Sequence, residues 1–352
     1  MPQKRTHSPQ LGLKPALRKL LQWFSSEKKD LPWRHDRTPY SVWISEIMLQ
    51  QTVVSTVIPY FTKWMKKFPG IKQLARAPER EAMVLWEGLG YYSRCRNILL
   101  ASRLITKKFR GKIPDHYEDL RSLPGIGDYT ASAILSLAFR KPYPVMDANV
   151  KRIVQRLLAL KNPDKKEEER TRSFLRKMLP VKQPGEFNEA MMELGQRICL
   201  PENPFCSRCP LKGRCLSFKS NLQNKIPQRK TSGIIGKRTR LLILCHGEKV
   251  LITQKQKGVL KGLWLFPAIP MKQACEDLIK KRIAKEFEQT AVLKPVSHHY
   301  TKYRDRLYPV MYKVSALHAA VDKEGKWVDR TALRRFPMPS AYRKIAALLS
   351  RP

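Results

Sequence analysis

The spacing of apolar residues divides the chain into two textures. Up to about residue 216 the apolar positions recur at helical intervals. Residues 11–29 (Leu13, Leu17, Leu20, Leu21, Phe24), Ser41–Ile58, Tyr129–Phe139, Asn149–Leu158 and Asn188–Ile198 each predict a helix. A charged stretch over 162–188 surrounds one further amphipathic helix. Residues 217–238 are polar and basic without periodicity, which reads as a linker. From Thr239 short apolar runs take over (Leu241–Leu244, Val250–Thr253, Leu263–Phe266, Val310–Val314) and predict strands, interrupted by one helix over Gln273–Glu288. The expected architecture is a mostly α N-terminal region followed by a separate α/β domain.

Several residues break this pattern. Glu46 stands on an apolar stripe with Val42, Trp43, Leu49 and Val53. Two readings fit: a buried structural ion pair with an arginine, or a desolvated carboxyl whose raised pKa suits proton donation. Leu123-Pro124-Gly125-Ile126-Gly127 is a tight turn feeding a helix. It is either a plain turn between core helices or a helix N-terminus open to an anion, with phosphate the natural guest. Asp147, after Pro142 and Pro144, is either an N-cap for the helix that follows or a carboxylate aimed at whatever that turn holds. Leu85–Arg96 gathers two glycines, two tyrosines and two arginines, a mixture suited to stacking on bases and holding phosphates and equally to a glycine-capped helix with core tyrosines.

Charge narrows the partner. Sixty-nine Lys and Arg against 29 Asp and Glu give a net charge of +40, spread along the whole chain, so a polyanion is expected to bind by counterion release. No apolar run is long enough to span a membrane and no hydrophobic leader opens the chain, so nucleic acid is favoured over an acidic membrane. Seven cysteines without a secretion signal point to a reducing compartment. Four of them, Cys199, Cys206, Cys209 and Cys215, form a C-x6-C-x2-C-x5-C loop that calls for a sulfur-rich centre, zinc or iron–sulfur. Cys95, Cys245 and Cys275 read as packing residues.

Leu31-Pro32-Trp33-Arg34, Trp43–Thr52, Gly88-Leu89-Gly90-Tyr91-Tyr92, Leu123–Gly127, Asp147–Arg152 and the four-cysteine loop occur in the order seen in helix-hairpin-helix DNA glycosylases, and the chain resembles the MutY-type adenine glycosylases of that superfamily. The resemblance covers nearly the whole chain. It implies a catalytic region over 1–220 with the iron–sulfur loop at 199–215, a basic linker over 221–238 and a Nudix-like 8-oxoguanine-recognition domain over 239–352. It implies excision of adenine paired with 8-oxoguanine or guanine from double-stranded DNA, after the base is flipped out of the stack. Glu46 is then the general acid and Asp147 the stabiliser of an oxocarbenium-like sugar, oriented by Asn149. Tyr129 stands where related lyases carry a Schiff-base lysine, which implies a monofunctional enzyme. Trp33, Arg34, Leu49, Gln50, Gln51, Tyr91, Gly125, Gly127 and Glu193 fall at DNA- or adenine-binding positions, with Gln50 and Tyr91 at the wedge. The cysteines are implied to hold a [4Fe–4S] cluster and the hairpin a DNA phosphate with a monovalent cation. A monomeric cytoplasmic protein, nucleoid-associated in a bacterium, is expected.

Within 239–352 the stretch matching a hydrolytic Nudix motif is largely basic (Lys280-Lys281-Arg282), so pyrophosphate hydrolysis is not expected. The family's aromatic-Ser-His reading loop aligns with Tyr300-Thr301-Lys302 or with His298-His299-Tyr300. The displaced histidine bears on lesion discrimination more than on adenine excision.

Overall fold

The computed structural model describes residues 13–161, 164–228, 233–273, 275–282, 286–300, 303–315 and 325–349. Backbone packing divides the chain into two units, Met1–Arg76 with Leu100–Lys230, and Ala77–Leu99 with Thr231–Pro352. No described helix is long and apolar enough to cross a membrane.

The first unit is built of helices. Leu13–Glu27, Ala148–Leu157, Lys165–Met178 and Pro184–Arg197 share a core that includes Leu20, Phe24, Val154, Leu175, Phe187 and Leu194. The Pro39–Leu49 helix starts at Thr38, whose hydroxyl accepts from the Ser41 N–H at 3.1 Å, and every residue from Tyr40 to Met48 is buried. Burial on all sides marks an interior helix, and Glu46 is itself buried on it. The sequence predicts one helix over Ser41–Ile58, but the structure breaks it. Gln51 adopts φ +57° and a second helix, Val54–Lys67, begins after the break. The left-handed turn at Gln51 ends the i→i−4 ladder, and the β-branched Thr52 and Val53 do little to extend it. Val53 consequently stands 67% exposed and off the stripe that carries Glu46.

Tyr117–Arg121 and Asp128–Leu137 are joined by the turn Ser122–Gly127, giving the expected helix-hairpin-helix. Buried Leu123 and Ile126 anchor the turn, and Gly125 takes φ +78°. Gly127 has no glycine-only conformation: its φ of −89° is open to any residue, and a methyl group added there meets no heavy atom within 4 Å.

Among the described residues the second unit is built on an eight-stranded mixed sheet: β1 (Ile235–His246), β2 (Lys249–Gln254), β3 (Trp264–Leu265), β4 (Ala268–Pro270), β5 (Phe287–Val292), β6 (Val296–Tyr300), β7 (Tyr303–Val314) and β8 (Gly325–Asp329). Its spine is the parallel pair β1–β7, in register from Ile235 opposite Tyr303 to Cys245 opposite Lys313. Leu242, Leu244, Val310 and Tyr312 pack with Cys275 and Ile279 of the Cys275–Arg282 helix. That helix is shorter than predicted. Phe287 and Glu288 belong to β5, where pairing with β7 overrides helical propensity. Within the stretch read as a linker, Leu216–Lys219 is helical and β1 already starts at Ile235, again through pairing with β7. Segment 77–99 joins this unit through polar contacts. Arg343 holds the Glu87 carboxylate at 2.7 Å, and the Tyr92 hydroxyl donates to the Met338 carbonyl at 3.2 Å. Cys95, Cys245 and Cys275 are buried, as packing residues should be.

Candidate active site

A cleft of about 1290 Å³ opens in the helical unit, and most of the expected site residues line it: Trp33, Arg34, Glu46, Leu49, Gln50, Gln51, Tyr129, Asp147, Asn149 and Glu193. The break after Leu49 brings Gln50 to Val53 to the cleft wall, where Gln50 Nε2 donates to the buried Thr130 hydroxyl at 3.2 Å.

The cleft's carboxylates have contrasting surroundings. Glu46 is 4% exposed, and its hydrogen-bond partner is the Tyr129 hydroxyl, which donates to Oε2 at 2.5 Å. Burial pushes the Glu46 carboxyl up to about 7. The tyrosine bond and the Arg34 charge pull it down, while the charges of Glu189 and Asp147 add to the rise. Tyr129, which also reaches the Met192 sulfur at 3.4 Å, is itself driven well above the ordinary phenol range by burial and by Glu46. Glu189 and Glu193 are instead saturated with cations. Arg34 bridges both at 2.9 Å, Arg37 meets Glu189 at 2.8 Å, and Arg197 meets Glu193 at 3.1 Å. The structural ion pair weighed for Glu46 therefore exists one helix away, and Glu46 keeps a neutral partner. Glu189, Arg37 and Met192 were missed in the sequence. The spacing of Glu189 four residues before Glu193 puts both carboxylates on one helix face and could have found Glu189; no local signal marked Arg37 or Met192.

Asp147 is an N-cap, and it also lines the cleft. Oδ1 accepts from the Val150 N–H at 2.6 Å and caps the Ala148–Leu157 helix, while Oδ2 accepts from Asn149 Nδ2 at 2.9 Å and the residue lines the cleft. Asn149 Oδ1 in turn accepts from Arg152 Nη2 at 2.9 Å. Two helices separated by the whole hairpin region thus place Glu46 and Asp147 in one cavity.

The remaining site residues lie elsewhere. Gly125 and Gly127 form the hairpin at the start of the Asp128–Leu137 helix, and Asp128 there is tied by Tyr117 at 3.0 Å and Arg121 at 2.7 Å. Tyr91, φ +45° and 37% exposed, follows Gly90 in the second unit. Tyr300 ends β6 opposite Tyr303, and Thr301 and Lys302 lie outside the described residues.

Cys199, Cys206, Cys209 and Cys215 are free of disulfides; burial pushes the Cys209 thiol up to about 12, and the neighbouring Cys199, Cys215 and Cys206 add to the rise. Two buried arginines converge on them. Arg156 Nη1 donates to the Cys199 sulfur at 3.3 Å, and Arg152 Nε donates to the Cys199 carbonyl at 2.9 Å. Four gathered thiols beside cationic donors fit a thiolate-bound metal centre. Among the described residues no three His, Cys, Asp or Glu side chains stand at the spacing of a single bound ion.

A hairpin beside a carboxylate-lined cleft, with a mixed sheet in the second unit, defines a helix-hairpin-helix base-excision glycosylase carrying a Nudix-type domain. Residues 44–177 match the HhH-GPD superfamily of base excision DNA repair proteins, and residues 239–348 match the NUDIX domain. The helical part superposes on a thermostable thymine-DNA glycosylase with a TM-score of 0.55 and 25% identity, covering 59% of this chain and 97% of that one. An endonuclease III–DNA complex aligns with a TM-score of 0.53 and 23% identity, covering 62% of this chain and 100% of that one. The adenine DNA glycosylase of Buchnera aphidicola subsp. Schizaphis graminum is 33% identical over 333 residues, 93% of this chain and 96% of its own length. The human adenine DNA glycosylase is 33% identical over 337 residues, 79% of this chain and 62% of its own length. The chain belongs to the MutY-type adenine DNA glycosylases, enzymes that cut the N-glycosidic bond of adenine in DNA.

Proposed function

We propose that the protein excises adenine paired with 8-oxoguanine or guanine in duplex DNA, by hydrolysis of the N-glycosidic bond and without cutting the strand. The observation carrying this reading is a buried carboxyl raised to about 7, Glu46, sharing a cleft with the capped and oriented carboxylate of Asp147. Adenine leaves poorly until its ring is protonated. Glu46 gives up its proton to the extruded base, and the glycosidic electron pair departs with the neutral adenine. The sugar is left oxocarbenium-like, and the Asp147 carboxylate faces it until water adds at C1′ and loses a proton. Bonds from Val150 N–H and Asn149 hold that carboxylate in one orientation.

Tyr129 occupies the position that would need a lysine for a lyase step, which supports the monofunctional assignment. Arg34 and Glu193 shape the adenine pocket, Gln50 and Tyr91 belong to the wedge that fills the vacated stack, and Trp33, Leu49 and Gln51 contact the substrate. The hairpin at Gly125 and Gly127 grips a phosphate, with a monovalent cation. The open space around Gly127 supports this role, since no contact within the protein requires glycine there. Cys199, Cys206, Cys209 and Cys215 hold a [4Fe–4S] cluster. Bound there, it would supply no chemistry to the reaction and would fix the shape of the loop that carries Arg208, Lys212 and Arg214. The second unit reads 8-oxoguanine through the family's reading loop, matched by Tyr300 and Thr301, acting in a monomer in the cytoplasm, nucleoid-associated in a bacterium. The test is Glu46→Gln on duplexes containing A:8-oxoguanine, A:G or A:C, with and without alkaline strand cleavage. The variant is expected to bind DNA and release no adenine, and wild-type turnover by it would overturn the acid assignment.

A further inference from the structure

The Pro184–Arg197 helix crosses its neighbours at two glycines. At Gly185 an added Cβ would lie 2.9 Å from the Ser136 carbonyl oxygen of the Asp128–Leu137 helix. At Gly195 the approach is closer: an added Cβ would lie 2.6 Å from Asn149 Cβ and 3.4 Å from Asn149 Cα. The atom struck at Gly195 is fixed to the backbone, so no rotamer change relieves the overlap. Carbon atoms need about 3.5–4.0 Å, so Asn149 or its helix would have to move by roughly 1 Å. The Gly195 carbonyl also accepts from Arg152 Nη2 at 2.8 Å, the same nitrogen that donates to Asn149 Oδ1 at 2.9 Å. Backbone contact and hydrogen bond therefore meet on one side chain, whose other end donates to Asp147 at 2.9 Å.

We infer that Gly195 is a positioning residue for the glycosylase reaction: its missing side chain seats Asn149, and through Asn149 it sets the orientation of the Asp147 carboxylate. Gly195 itself touches no reacting atom. The inference rests on the reading that Asn149 orients Asp147. A displacement near 1 Å at a reacting group costs on the order of a hundredfold in rate.

The experiment compares wild type, Gly195→Ala, Asn149→Gly and the double variant in single-turnover adenine release, DNA affinity and thermal melting. Gly195→Ala is expected to slow release about a hundredfold with DNA affinity within about twofold of wild type. The double variant is expected to be no slower than Asn149→Gly alone, because the methyl group then has nothing to displace. If Gly195→Ala does not fold, a folded double variant supports the inference and an unfolded one overturns it. A wild-type rate for Gly195→Ala, or losses that multiply in the double variant, overturns the inference and leaves the Asp147–Asn149 reading standing. A wild-type rate for Asn149→Gly overturns both.

Discussion

Replacing Glu46 with glutamine should make the protein more stable at alkaline pH, and the size of the gain follows from the site. In the folded chain burial holds this carboxyl at about 7 against an ordinary value of 4.5. The native state therefore binds a proton that the unfolded state has already lost between those two values. Stability attributable to Glu46 is whole below about 4.5, declines as pH rises towards 7, and levels off above it. The difference of about 2.5 pH units, at about 1.4 kcal/mol each, makes the full penalty on the order of 3 kcal/mol. The group is buried at 4% exposure, so solvent screening does little to reduce it. Glutamine keeps the acceptor that receives the Tyr129 hydroxyl and removes the charge. Melting temperatures of the two proteins should coincide near pH 4.5 and separate to roughly 6–12 °C by pH 8 for a unit of this size. A constant separation from pH 5 to pH 8 would show that Glu46 does not titrate there, and the account of its acidity would fail.

Tyr129→Phe removes the hydrogen bond that lowers the Glu46 pKa, so the alkaline limb of single-turnover excision should move to higher pH than in wild type, where it falls off above about 7. An unmoved limb in a pH–rate series would show that the phenol does not tune the acid. Gly127→Ala should leave the melting temperature within about 2 °C of wild type, because the methyl group meets nothing and φ is ordinary, while weakening duplex binding measured by anisotropy. Equal affinity for the two proteins would remove the hairpin from the phosphate grip.

Much of this molecule is legible in its order of residues. The hairpin could be read from its glycines, the cap at Asp147 from its place before a basic amphipathic helix, and Glu46 from its intrusion on apolar positions. These are local signals, since turn chemistry and periodicity act over a few residues. The helix over Ser41–Ile58 failed as a single element because the left-handed turn at Gln51 carries no glycine or proline to announce it. The short strands β4, β5, β6 and β8 escaped notice because pairing with distant partners, not alternation within each run, makes them strands.

What the tertiary structure alone decided is which of the cleft's acids is paired with cations and which is not. Glu46, Glu189 and Glu193 are the same residue type within one cleft, and nothing along the chain says that Arg34 and Arg37 neutralise the latter two and leave Glu46 to a phenol. Desolvation and ion pairing depend on neighbours more than a hundred residues away in the chain. Glu46, Asp147 and Glu193 could therefore be picked out along the chain, while the raised proton affinity of Glu46 follows from how the helices pack.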